Sequence, residues 1–299
     1  MAERSAGARD RASKPARPAP PEPLSPLFDA HTHLDACGAV DAAGVAEIVD
    51  RAVAVGVGQL VTVADDLDSA RFAVAAAHWN PRVLAATAIH PTRADALDAT
   101  TRAEIERLAG DPRVVAVGET GLDYYWLDRL DGCAGVSAQI EAFRWHIDLA
   151  KRLGKPLMIH NREADHDVLA VLADEGAPDV VIFHCFSSTA PTALACVDAG
   201  YVLSFAGTVS FRNAQELQEA AKLVPADQLL VETDAPFLTP HPFRGAPNEP
   251  YCLPYTVRAL AAVRGEDPAE LARAVTATAR RVYRSAGPPP SEDPAPGPG

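Results

Sequence analysis

From Leu27 onward, short apolar runs alternate with longer stretches in which Ala and Leu recur at helical spacing. The runs are Leu27–Ala30, Gln59–Val63, Val83–Ile89, Val114–Val117, Pro156–Ile159, Val180–Phe183, Tyr201–Phe205 and Leu229–Val231. They have the length and near-continuous apolarity of strands buried on both faces. Between them lie Ala42–Val55, Ser69–His78, Thr101–Ala109, Ala138–Leu153, Ala164–Asp174, Pro191–Ala199 and Ala214–Leu223, and after the last run Tyr255–Val263 and Pro268–Arg284; these are the predicted helices. Strict strand–helix alternation calls for a parallel sheet, and eight units close most simply into a (β/α)₈ TIM-type barrel. An open doubly wound sheet would want a Gly-rich phosphate loop after its first strand. Here that position holds His-Thr-His.

Both ends of the chain break the pattern. Residues 1–26 are rich in Arg, Ala and Pro, and residues 286–299 are nearly all Pro, Gly and acid. Such segments bury too little apolar surface to offset the entropy of ordering them, so both are expected to be disordered tails around a barrel spanning 27–285. Nothing in the N-terminal stretch resembles a secretory leader, and no run approaches the length of a membrane span. The five cysteines show no CxxC spacing and read as reduced thiols of a cytoplasmic protein. A formal net charge of −13 disfavours a basic surface that grips duplex DNA along its length, but not an enzyme that takes one phosphodiester at a time.

The candidate chemistry sits at the ends of the apolar runs. His31 and His33 close the first, His90 the third, Glu119 the fourth, His160 the fifth, His184 the sixth and Asp234 the eighth. In a (β/α)₈ barrel all of these strand ends meet on one face, where active sites are built. A carboxylate such as Glu119 at the end of a buried strand needs a partner, and histidines two apart on extended backbone point the same way and can grip one cation. His31, His33, Glu119, His160, His184 and Asp234 are therefore read as one metal site. Imidazole with carboxylate suits zinc, manganese, iron or nickel better than calcium. Six donors exceed what one ion with an open position needs, so two divalent ions sharing Glu119 are expected. His31, His33 and Asp234 would hold one, His160 and His184 the other. Lys14, Lys151, Lys155 and Lys222 lie where none can supply a bridging carbamate. Asp234 and Glu119 are the expected catalytic residues, with Asp234 orienting the attacking water or taking its proton.

The stretches DAHTHLD (29–35), IHP (89–91), AVGETGLDYY (116–125), LAKRLGKPLMIHNREA (149–164), FHCFS (183–187), LSFAGTVSF (203–211) and LLVETDAPFLTPHPFRGAPNEP (229–250) resemble the TatD-type metal-dependent deoxyribonucleases of the amidohydrolase superfamily. The resemblance runs through nearly the whole 27–284 body. It implies a (β/α)₈ fold, divalent metals (Mg²⁺, Mn²⁺ or Zn²⁺) and hydrolysis of DNA phosphodiesters, as a 3′→5′ exonuclease or at damaged sites. It also carries the family's ligand set onto the same six residues. Ala88, Ser188, His146 and the loop 127–136 depart from the usual family pattern without touching a proposed ligand.

Around this centre, His90, Arg162 and Arg244 are expected substrate or phosphate contacts, Arg162 through a bidentate guanidinium. Tyr124, Tyr125 and Trp126 are candidates for stacking on bases or for packing at the barrel mouth. The expected substrate is single-stranded DNA or a DNA 3′ end, and the expected state a monomer. Two rival readings share the ligand set: a superfamily hydrolase of a small-molecule ester or amide, and a metal-binding scaffold without catalysis.

Overall fold

In the computed structural model, which describes residues 16–285, eight parallel strands lie in sequence order around a nearly closed barrel. They are β1 (Leu27–Thr32), β2 (Val57–Val63), β3 (Val83–Thr87), β4 (Val114–Asp123), β5 (Leu157–Arg162), β6 (Val181–Phe183), β7 (Val202–Phe205) and β8 (Leu229–Val231). The helices are α1 (Ala42–Ala54), α2 (Leu67–Trp79), α3 (Ala99–Ala109), α4 (Val136–Leu153), α5 (Asp165–Glu175), α6 (Ala190–Asp198), α7 (Gln215–Leu223), α8 (Leu253–Arg264) and α9 (Pro268–Val282). Asp41, Asp66, Asp98 and Asp267 start α1, α2, α3 and α9 by accepting from backbone N–H groups of the first turn.

Two apolar layers hold the barrel. One lies between the strands and the helices and includes Leu27, Val117, Leu157, Phe183, Leu203 and Leu229. The other fills the inside of the barrel with Phe28, Val61, Leu84, Ala116, Met158, Ile182, Val202 and Leu230. The amino end is plugged: Tyr283 stacks on Phe28 at 5.6 Å and donates its hydroxyl to the Ala30 carbonyl at 3.0 Å. Lys155 is also at that end, bonded to the Asp111 and Val114 carbonyls. The polar residues are thereby left to the carboxyl end. There the seam between β8 and β1 is closed by a Thr32–Ala235 bridge, by His33 N–H to the Ala235 carbonyl (2.8 Å) and by Asp234 N–H to the His31 carbonyl (3.0 Å).

Three expectations are corrected. The fourth strand does not end with the apolar run at Val117: β4 runs on to Asp123, with an irregular register between Val117 and Thr120. Glycine permits this because a Cβ at Gly118 would lie 2.4 Å from the Met158 Cβ and one at Gly121 2.1 Å from the His160 carbonyl oxygen, so β4 presses closer to β5 than side chains allow. The third strand stops at Thr87, and His90 caps a separate 3₁₀ turn, Pro91–Ala96. Residues 16–26, assigned to a disordered tail, form a strap along α8. Proline leaves carbonyls without matching N–H groups, and those of Pro18, Ala19 and Glu22 accept from Tyr251, Tyr255 and Arg258 at 2.7, 2.9 and 2.9 Å. The tail expectations for 1–15 and 286–299 lie outside the described residues.

Candidate metal centre

The carboxyl end of the barrel brings all six proposed ligands together. Strict alternation along β1 would place His31 on the helix-facing side with Leu27, and along β4 Glu119 with Val117. The register irregularities between Asp29 and Thr32 and between Val117 and Thr120 turn both inward. His160 and His184 need no such device, standing two residues after the inward Met158 and Ile182. Asp234 is delivered beyond β8 at φ 51°, a left-handed conformation that a non-glycine residue adopts at a cost of about 1–3 kcal/mol.

Two donor sets result. In the first, His31 Nε2 and His33 Nε2 are 3.1 Å apart. Glu119 Oε1 lies 3.6 and 3.7 Å from them, and Asp234 Oδ1 3.7 and 3.5 Å. Ligands about 2.1 Å from an ion stand roughly 3.4 Å apart in a tetrahedron, the spacing of these five pairs; Asp234 also groups with His31 and His184. In the second set, Glu119 Oε2 lies 3.1 Å from His160 Nδ1 and 2.6 Å from His184 Nε2, and those two nitrogens are 3.4 Å apart. His90 Nε2 joins this set, 3.3 Å from His160 Nδ1.

The ring nitrogens turned away from the donor sets are anchored. His33 Nδ1 donates to the Val63 carbonyl (3.1 Å), His160 Nε2 faces Asp123 Oδ2 (2.8 Å), His184 Nδ1 faces Glu232 Oε1 (3.3 Å) and His31 Nδ1 faces the Met158 sulfur (3.2 Å). Such outer contacts fix tautomer and ring plane and leave a lone pair aimed at the centre. Asp123 and Glu232 were not anticipated in this role. For Glu232 the signal was its spacing, two residues after the inward Leu230 and two before Asp234. Asp65, just after β2, also faces the site, 3.8 Å from His33 Nδ1, and meets the strand-end criterion that found the others.

Electrostatics match a cation site. Burial opposes charge on Glu119, but His184 and His160 outweigh it and hold the carboxyl well below its ordinary range. Burial and the neighbouring His184 push His31 well below the usual histidine value, keeping it neutral as a ligand must be. His33 is moved up to about 10: burial opposes this, and the Asp234 hydrogen bond and the Asp65 and Glu119 charges prevail. The acids thus outweigh the imidazoles here, a balance that a divalent ion can take over.

The remaining candidates stand at the rim. Arg162 ends β5 with its guanidinium 3.8 Å from the Tyr125 ring centre and 5.6 Å from that of Trp126; Arg129 lies on the same tyrosine at 4.3 Å. Tyr124 instead donates to Asp167 at 2.7 Å. Arg244 lies 4.7 Å from the Phe211 ring, while Glu249 of the same loop is buried against Arg17 and Arg51.

A family model described as TatD related DNase matches residues 28–284. The chain belongs to the TatD family. It is 66% identical over 257 residues to the uncharacterized metal-dependent hydrolase TatD of Mycobacterium tuberculosis, covering 86% of this chain and 97% of that one. It is 38% identical over 247 residues to the 3′-5′ ssDNA/RNA exonuclease TatD of Erwinia billingiae, covering 80% and 92%. Among solved structures, the TatD homologue YjjV of Escherichia coli superposes with a TM-score of 0.77 at 25% identity, over 86% of this chain and 98% of that one. As a TatD-family member the protein is a metal-dependent hydrolase with the (β/α)₈ barrel of that family. No helix among the described residues is long and apolar enough to cross a membrane.

Proposed function

We propose that the protein is a two-metal phosphodiesterase acting on single-stranded DNA, with exonucleolytic attack from a 3′ end. The observation that carries this reading is the placement of the two Glu119 oxygens, one in each donor set. His31, His33 and Asp234 would hold one divalent ion and His160 and His184 a second, with Glu119 placed to serve both. His90 completes the second set or contacts the substrate phosphate. Divalent ions bound there supply the positive charge that polarises water and stabilises a phosphoryl group undergoing displacement. Asp234 accepts the proton of the attacking water, for which its place at the rim of the first set suits it. The exonuclease named in Erwinia billingiae, 38% identical, supports a single-stranded nucleic acid as substrate. The net charge of −13 does not oppose it, because a single phosphodiester can be held locally at the metal centre and the rim. Arg162 is stacked by its face, which leaves its in-plane N–H groups for phosphate oxygens, and Arg244 serves likewise across the mouth.

The test is incubation of metal-reconstituted protein with end-labelled single-stranded oligonucleotide under Mg²⁺, Mn²⁺ or Zn²⁺. A ladder receding from the 3′ end is expected. Absence of cleavage under all three, with turnover of a small ester or amide, would replace the phosphodiesterase with the small-molecule hydrolase. Elemental analysis tests the bridge separately: Glu119→Ala should deplete both ions and His184→Ala only one. Equal loss in the two variants removes the bridging role.

A further inference from the structure

Phe237 is 53% exposed, and its nearest aromatic neighbour is a proposed metal ligand. The other exposed apolar aromatic among the described residues, Trp79, packs edge-on against Phe72 on the flank of α2. The Phe237 ring lies 6.0 Å from the His33 ring at 71°. Its backbone is firmly held. Phe237 N–H donates to the Asp234 carbonyl (2.9 Å), and its own carbonyl accepts from Asn248 Nδ2 (2.6 Å). The same buried amide also donates to the Thr233 carbonyl (2.9 Å), so one side chain ties Phe237 to the segment that delivers Asp234. The next residue, Leu238, is held at φ 53°, with its carbonyl oxygen 2.2 Å from where a Cβ on Gly207 would stand. The strand-end loop therefore presents an apolar ring to solvent on a rigid mount at the edge of the metal centre.

We propose that Phe237 is the stacking platform for the nucleobase next to the scissile phosphate, an inference that rests on the phosphodiesterase reading above. The ring stands beside His33, itself 3.5 Å from Asp234, so a base covering it would carry its phosphate toward that donor set. The immediate neighbours in sequence, Pro236 and Leu238, are only partly exposed, so the feature is a single planar face and not an apolar patch of the kind that docks proteins. Every base has a π-face, so this contact gives affinity and register with little sequence preference. Tyr125 and Trp126, the aromatics singled out from the sequence, are instead engaged with Arg162 and Arg129.

The experiment is steady-state hydrolysis by the metal-reconstituted full chain of two oligonucleotides, one natural and one whose 3′-terminal residues are abasic. Phe237→Ala should raise KM for the natural strand about 5- to 100-fold, with kcat within about threefold. Phe237→Trp should keep KM close to that of the unmutated protein, and Phe237→Leu should resemble Phe237→Ala because it keeps bulk without a π-face. On the abasic strand all four proteins should have the same KM. An unchanged KM for Phe237→Ala on the natural strand overturns the proposal and leaves the phosphodiesterase reading intact. So does an equal penalty on both strands, which would make the ring a structural support of the loop. If the unmutated protein cleaves neither strand, the phosphodiesterase reading fails and base stacking falls with it.

Discussion

Asp234 illustrates how much one residue can carry at this site. Its backbone closes the barrel seam, its φ of 51° is strained, and its carboxylate faces both His31 and His33. Asp234→Asn keeps the shape and one ligand oxygen but removes the base. We expect kcat on a short single-stranded oligonucleotide to fall on the order of 10²–10⁴-fold with KM little changed. Near-normal kcat at full metal content would show that another group takes the proton. His146, buried on α4, makes a different prediction. Burial lowers it to about 3, and its Nε2 accepts from Ile89 N–H at 3.2 Å while Nδ1 faces the Ala142 carbonyl at 2.7 Å. Between roughly pH 6.5 and 3 the unfolded chain binds a proton at this residue that the native state does not. Its contribution is therefore fully present above about pH 6.5 and is lost as the pH falls toward 3. His146→Gln should flatten the acid limb of a plot of unfolding free energy against pH by one proton. An unchanged slope would mean that native His146 is protonated in that range.

At the scale of elements, the pair β4–β5 decides whether the donor sets exist. Glu119 reaches both only because β4 continues beyond Gly118 with a shifted register, and His160 is held opposite it by the Gly121–His160 and Asp123–Arg162 pairings. Gly121 sits at φ 140°, and a Cβ there would stand 2.1 Å from the His160 carbonyl oxygen. Gly121→Ala should cost on the order of 2–4 kcal/mol of unfolding free energy from backbone strain and forced separation of the strands. Metal retention should fall with it, because His160 and Glu119 move apart. A variant that keeps both stability and metal content, by urea denaturation and elemental analysis, would show that the close approach is dispensable.

At the scale of the whole molecule, the N-terminal strap connects to the metal centre through a buried acid. Glu249 is 2% exposed and is paired with Arg17 of the strap and with Arg51 of α1, the latter at 2.8 Å. The preceding residue, Asn248, ties down the segments around Asp234 and Phe237. Removing both guanidiniums leaves a carboxylate buried without a counter-charge. The double variant Arg17→Met/Arg51→Met should lose on the order of 2–4 kcal/mol, more than either single variant, and should lose activity as well. Thermal unfolding and oligonucleotide turnover check the two parts. Loss of stability with activity intact would disconnect the strap from the site.

Several features of this protein were legible in the amino-acid sequence alone. Apolar runs of strand length separated by helical periods are local patterns that call for a parallel sheet, and the count of eight with His-Thr-His in place of a Gly-rich loop favours the barrel over the open sheet. A histidine or carboxylate at the end of such a run is conspicuous, so His31, His33, Glu119, His160, His184 and Asp234 could be picked out and expected on one face. Which way some of them point was not legible. Alternation along the strands would turn His31 and Glu119 toward the helices; the shifted registers of β1 against β2 and of β4 against β5 turn them in, and those shifts depend on neighbours far away in sequence. The anchor of His160 on Asp123 was hidden for the same reason, whereas Glu232, the anchor of His184, was marked by its spacing from Leu230 and Asp234 although its partner was not. Residues 16–26 have the composition of a disordered segment, yet they are laid along α8 because Tyr251, Tyr255 and Arg258 present donors to proline-rich backbone. Composition reports what a segment can bury by itself; only tertiary structure decides what the rest of the molecule offers it.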